Sequence, residues 1–101
     1  SFQKGKIIPM VNPQTIADGL RTSLGEIGFE IMKTHLNSIF TVSESEIISA
    51  MKWMWQKMKI IIEPSSAVPL AALIKNHELF KNQHVGIIIS GGNVDLENLP
   101  F

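Results

Sequence analysis

The stretch Val85-Gly86-Ile87-Ile88-Ile89-Ser90-Gly91-Gly92-Asn93 decides how the chain is read. A β-branched apolar run stops abruptly at a serine and two glycines. β-Branched residues favour extended backbone, and a strand that is apolar on both faces belongs in the middle of a parallel sheet, with helices above and below. Such a strand needs neighbours on either side. Ser38 to Val42 (Ser-Ile-Phe-Thr-Val) reads as a second short strand, and Lys4 to Asn12 as a weak extended segment closed by the turn-prone Asn12-Pro13. Two or three strands make a poor sheet for a run of this kind. The expected fold is therefore α/β, with parallel-sheet strands, flanking helices and further strands lying outside these residues.

Helices fill the interval between the strands. Ser43 with Glu46 three residues on forms a capping box, in which each side chain satisfies an orphan backbone donor. Apolar residues then recur at Ile47, Met51, Met54 and Met58, the spacing of an amphipathic helix to about Lys59. Trp53 and Trp55 beside that stripe are expected to help cover the core. Glu63-Pro64-Ser65-Ser66 interrupts the helix, because a residue before proline avoids the helical region. Ser65 or Ser66 then caps a second helix to about Asn76, with Pro69 in its first turn, where a missing N–H does little harm. Glu26 to Leu36 reads as a third helix, with Ile27, Ile31 and His35 at one spacing. Thr15 to Gly19 reads as a loop, with Gly19 free to take a positive φ.

Composition narrows the function classes. Apolar residues make up 45% of 101 and charged ones 18%, which excludes disorder. Lys+Arg and Asp+Glu balance at nine each, so no overall field favours nucleic acid or an anionic membrane. No apolar stretch approaches the roughly 20 residues that cross a bilayer. The chain has no cysteine, which rules out disulfides and thiolate metal sites and is compatible with a cytoplasmic setting. His35, His77 and His84 lack the paired spacing that chelates a metal, so no metal site is expected. The N-terminus carries neither an initiator Met nor a leader-like run, and the chain reads as part of something longer.

Two places hold candidate chemistry. Ser90-Gly91-Gly92 follows a buried strand, and open α/β sheets bind ligands at the carboxyl ends of their strands; the same residues also read as a tight turn leaving the sheet. Glu63 is either an acid, base or ligand acceptor between two helices, or a solvated cap. Lys57 and Lys59 complement the dipole at the end of the long helix.

Taken in order, Thr15-Ile16-Ala17-Asp18-Gly19, Ile39-Phe40-Thr41-Val42 with Glu44 and Glu46, Met58-Lys59-Ile60-Ile61-Ile62-Glu63-Pro64 and Ser90-Gly91-Gly92-Asn93-Val94-Asp95-Leu96 resemble the C-terminal part of serine racemases and serine/threonine dehydratases. These are fold-type II pyridoxal-phosphate enzymes, and the resemblance runs from about Gly5 to Leu96. It implies that Ser90 hydrogen-bonds the pyridine nitrogen of the cofactor, that Glu63 lies near its ring, and that Gly19 and Gly91 present backbone to it. It also implies that Lys59 and Asn93 help line a nucleotide site at a dimer interface, with a divalent cation and ATP held mainly by residues elsewhere. The family's Schiff-base lysine motif, Ser-x-Lys-x-Arg-Gly, and its glycine-rich phosphate loop are not among these residues.

The chain is accordingly expected to be a C-terminal fragment of the catalytic domain, residues 1–101, with the small domain also outside it. Alone it is expected to be inactive, supplying the pyridine-nitrogen side of the site to a homodimeric enzyme acting on serine or threonine. Its partners are then the remainder of its own polypeptide, a second subunit and a small amino acid. The rival reading is a non-catalytic binding or assembly module derived from the same fold.

Overall fold

A computed structural model describes all residues 1–101. Two helices form its centre. Helix α2 (Glu44–Trp53) starts where the capping box places it: the Ser43 hydroxyl accepts from the Glu46 N–H at 3.2 Å, and the Glu46 carboxylate accepts from the Ser43 N–H at 2.7 Å. Helix α3 (Pro64–Lys75) packs against it. Between them, Met54–Met58 winds into a wider π-helical turn, and Lys59 closes it in the left-handed region at φ 59°. Lys59 thus lies past the helix end and reverses the chain, rather than standing in the last helical turn.

The core is small. Ala17, Ile47, Ala50, Met51, Met54, Ile62, Ala67, Leu70 and Ala71 form one buried cluster, and only 11 of 101 residues are buried at all. Three residues of the stripe, Ile47, Met51 and Met54, enter it, while Met58 stays exposed. Trp55 packs against the cluster, donates its indole N–H to the Ile62 carbonyl at 2.9 Å and meets Phe101 edge-on at 5.3 Å. Trp53 is exposed instead of covering the core. The radius of gyration is 14.7 Å and the extents are 39 × 37 × 20 Å. A closed domain of this length has a radius near about 13 Å, so the molecule is an open slab.

Several expectations are corrected. Residues 38–42 and 85–89 take no regular secondary structure, and no strand ladder forms in the chain. The N-terminal segment begins as a turn, with the Lys4 N–H donating to the Ser1 carbonyl at 3.1 Å. The physical reason lies in the apolar run itself. Ile88 is 82% exposed, Val85 and Ile89 are also exposed, and Ile87 alone leans on the core; a two-faced strand has no partners here to bond its backbone or cover its faces. Helix α1 (Glu26–His35) forms where expected but buries Phe29, leaving Ile27 81% exposed and Ile31 exposed. Gly19 sits in a tight 3-10 turn, Asp18–Leu20, without the positive φ expected of it. Pro69 lies in the interior of α3, because the helix begins at Pro64, so no N–H reaches the Ser65 carbonyl from it. No helix is long and apolar enough to cross a membrane.

Candidate functional site

The N-terminus of α3 gathers the residues singled out from the sequence. Glu63 precedes the helix in extended conformation, and its carbonyl accepts from the Ser66 and Ala67 N–H groups at 3.1 and 3.2 Å. Glu63 is thus the N-cap residue, and neither following serine caps the helix with its side chain. Ser65 and Ser66 turn outward from the helix to the two loops beside it. The Ser65 hydroxyl accepts from the Gly19 N–H at 3.1 Å. The Ser66 hydroxyl, in a residue only 1% exposed, donates to the Gly91 carbonyl at 2.7 Å and accepts from the Gly91 N–H at 2.7 Å. It also lies 3.0 Å from the Ser90 hydroxyl.

The loop from Ser90 to Asn93 is tied to the same turn from a second direction. The Glu63 N–H donates to the Gly91 carbonyl at 3.1 Å, and the Glu63 carboxylate accepts from the Asn93 N–H at 3.1 Å. Here Gly92 is required by close approach, and Gly91 is crowded. A Cβ on Gly91 would stand 3.0 Å from a Glu63 carboxylate oxygen, and one on Gly92 would stand 2.6 Å from the Ile61 carbonyl oxygen. The second contact involves backbone on both sides, so nothing there can yield cheaply. Gly19 is crowded in the same way, its added Cβ falling 3.0 Å from the Ser65 hydroxyl.

The Thr15–Gly19 loop has its own anchors. The Ile16 N–H donates to the Glu44 carboxylate at 2.8 Å, and the Arg21 guanidinium donates to the Thr15 carbonyl. The Ile16 N–H, and then the Thr15 hydroxyl, hold the Glu44 carboxyl below the ordinary glutamate range. Glu46 is lowered likewise, first by the Ser43 N–H and then by Lys75, which reaches it at 3.4 Å. Both carboxylates fasten loops to helix ends and stand apart from Ser90.

Four of the six candidate residues, Gly19, Glu63, Ser90 and Gly91, are joined in this network, and Asn93 enters it through its backbone. Lys59 does not. A cavity of about 300 Å³ opens beside Asn93, lined in part by Asp18, Arg21, Pro64 and Asp95, and Lys59 takes no part in its wall. Ser65 and Ser66 read from the sequence as caps, and that reading misses their bridging role. Two serines where one cap suffices is the available signal. No group of three or more acidic or histidine side chains is placed to hold a metal ion.

The chain as a whole has counterparts among known proteins. A β-hydroxyaspartate dehydratase of Paracoccus denitrificans is 48% identical over 101 residues, which are the whole of this chain and 32% of the relative. The crystal structure of serine racemase from Dictyostelium discoideum superposes with a TM-score of 0.85 at 49% identity, covering 95% of this chain and 31% of that one. A T.th. threonine deaminase crystal structure superposes with a TM-score of 0.88 at 36% identity, covering 94% of this chain and 32% of that one. The chain thus spans about a third of the length of the relatives it matches. The family model of pyridoxal-phosphate dependent enzymes matches residues 1–91, and by that match the chain belongs to this family.

Proposed function

We propose that residues 1–101 form the C-terminal third of a pyridoxal-phosphate dependent dehydratase or racemase, and supply the wall that faces the pyridine nitrogen of the cofactor. The observation that carries this reading is the Ser90 hydroxyl: it is exposed at the rim of the α3 network, while its buried neighbour is another hydroxyl, not an acid. A ring nitrogen beside Ser90 meets a neutral partner that does not hold a proton on it, which suits elimination or racemisation over transamination. The fit is to the ring side alone. Gly91 leaves the rim without a side chain, and the Glu63 carboxylate stays beside it, held by the Asn93 N–H. The covalent lysine and the phosphate cradle belong to other parts of the polypeptide, and residues 1–101 alone are inactive on this reading.

When bound, the cofactor supplies an electron sink for the carbanion left by loss of the substrate α-proton. The work of this chain is positional. Ser90 meets the ring nitrogen, Glu63 holds the loop that carries Ser90, and Ser65 keeps the Gly19 backbone against the start of α3. The relatives bear the names β-hydroxyaspartate dehydratase, serine racemase and threonine deaminase. What these share supports a β-hydroxy amino acid, serine or threonine among them, as the substrate class. A homodimeric, cytoplasmic enzyme, with a divalent cation and ATP held mostly by residues outside this chain, completes the reading; Lys59 and Asn93 are its nucleotide contacts.

The test is Ser90→Ala in the intact enzyme. Loss of one hydrogen bond at a preorganised site costs about 2–4 kcal/mol of transition-state stabilisation, so turnover falls by roughly two to three orders of magnitude, with the fold retained. Wild-type turnover together with wild-type cofactor affinity would overturn the assignment.

A further inference from the structure

Ser66 is the only polar residue in the buried set, and its hydroxyl has three partners: the Gly91 carbonyl, the Gly91 N–H and the Ser90 hydroxyl. A serine hydroxyl has one proton and two lone pairs. A carbonyl can only accept, so the Gly91 carbonyl takes the Ser66 proton. The Gly91 N–H fills one lone pair. A single lone pair then faces Ser90, and Ser90 must be the donor across the 3.0 Å contact. This assignment satisfies Ser66 completely, and no buried side-chain polar atom in the chain is left unpaired. It leaves the Ser90 oxygen, in an exposed residue, with both lone pairs uncommitted.

We propose that Ser66 is the positioning residue for Ser90: it clamps Gly91 through both its N–H and its carbonyl, and it accepts the Ser90 hydroxyl proton while that hydroxyl has no other acceptor. The inference rests on the reading of Ser90 given above. It adds that Ser90 needs no movement of heavy atoms to change partners. Rotation about its Cβ–Oγ bond would re-aim the Ser90 hydroxyl from Ser66 to an acceptor on its exposed side, while the oxygen stays where the Gly91 clamp puts it. Preorganisation of this kind comes from a supporting residue held by its own hydrogen bonds, and Ser66 keeps both of its Gly91 bonds when Ser90 turns away.

Because Ser66 acts through Ser90, its removal has a signature that a packing role lacks. In the intact cofactor-loaded enzyme, Ser66→Ala weakens pyridoxal-phosphate binding about tenfold, the scale of one or two lost hydrogen bonds. It also shifts the absorption band of the bound cofactor in the direction that Ser90→Ala does. The double variant shows the band of Ser90→Ala with no further shift. Ser66→Cys keeps the size of the side chain and weakens its hydrogen bonding; it gives a smaller shift in the same direction and carries the test if the alanine variant does not fold. A folded Ser66→Ala or Ser66→Cys enzyme with wild-type band and affinity, where Ser90→Ala changes both, overturns the role of Ser66 and leaves the reading of Ser90 standing. A Ser66→Ala band shift that persists undiminished in the Ser90→Ala background also overturns it. If Ser90→Ala itself leaves band and affinity unchanged, the reading of Ser90 falls first.

Discussion

The α2–α3 pair and the segment 85–93 both carry apolar residues in quantity, yet one closes on itself and the other does not. In the pair, Met51, Ala67 and Ala71 come within reach of one another through helices whose backbone bonds are internal. In the segment, Ile88 and Ile89 stay exposed, and the backbone of 85–89 has no ladder. A helix satisfies its own polar groups, whereas a strand borrows that satisfaction from its neighbours. A run such as 85–89 is therefore less self-sufficient than a helix, and the site at Ser90 lies where the two kinds of region meet.

The comparison breaks most visibly by truncating one apolar side chain in each region of the 101-residue chain. Met51→Ala, at a position with no exposure, is expected to cost about 2–5 kcal/mol, read by denaturant unfolding of the helical signal. Ile88→Ala is expected to stay within about 0.5 kcal/mol, the range of surface changes. In the intact enzyme the second value should rise toward the first. An Ile88→Ala cost that is equally small there would mean that nothing covers this run.

Next in size is Gly92→Ala. Its Cβ would meet the Ile61 carbonyl oxygen at 2.6 Å, and relief by backbone movement costs about 1–3 kcal/mol. The loss should appear in cofactor affinity as well as stability, since the same loop carries Ser90. Ser43→Ala removes the capping hydroxyl of α2 and is expected to cost about 1 kcal/mol, with no effect on the Ser90 loop. Equal effects of these two variants on the loop would erase the distinction between the regions.

The contrast also explains what is legible from sequence. The capping box at Ser43 and Glu46 and the stripe from Ile47 to Met54 are readable because their partners are three or four residues away. Asn12, before Pro13, is a bend with φ 48°. The roles of Ser65 and Ser66 are not, because their partners, Gly19 and Gly91, lie 46 and 25 residues distant. Helix α1 misleads because its strongest periodic face, Ile27 and Ile31, is the exposed one, and no neighbour here completes it. The strands expected at 38–42 and 85–89 do not form, because strand pairing depends on partners that are not local in sequence.

The smallest effect concerns pH. The Glu44 carboxyl titrates below its ordinary value because the folded chain gives it the Ile16 N–H. A depressed carboxylate contributes stability above its unfolded pKa, and that contribution is lost as pH falls through the folded one. Wild type should therefore exceed Glu44→Gln in stability at neutral pH, by a modest margin because the group is solvent-screened. The difference should shrink once pH falls below the ordinary glutamate pKa of about 4.3 and vanish only below the lowered folded value. A gap that is constant with pH would show that charge plays no part in anchoring the Thr15–Gly19 loop.

The central claim is that α2 and α3 are self-sufficient while the run leading to Ser90 is completed from outside these residues. Amide hydrogen exchange on residues 1–101, paired with sedimentation and repeated on the intact enzyme, tests it most directly. The account predicts slow exchange in α2 and α3 in both samples, with Ile87, Ile88 and Ile89 exchanging freely in the 101-residue chain and protected in the intact enzyme. A monomeric 101-residue chain with strongly protected amides at Ile87, Ile88 and Ile89 would contradict it.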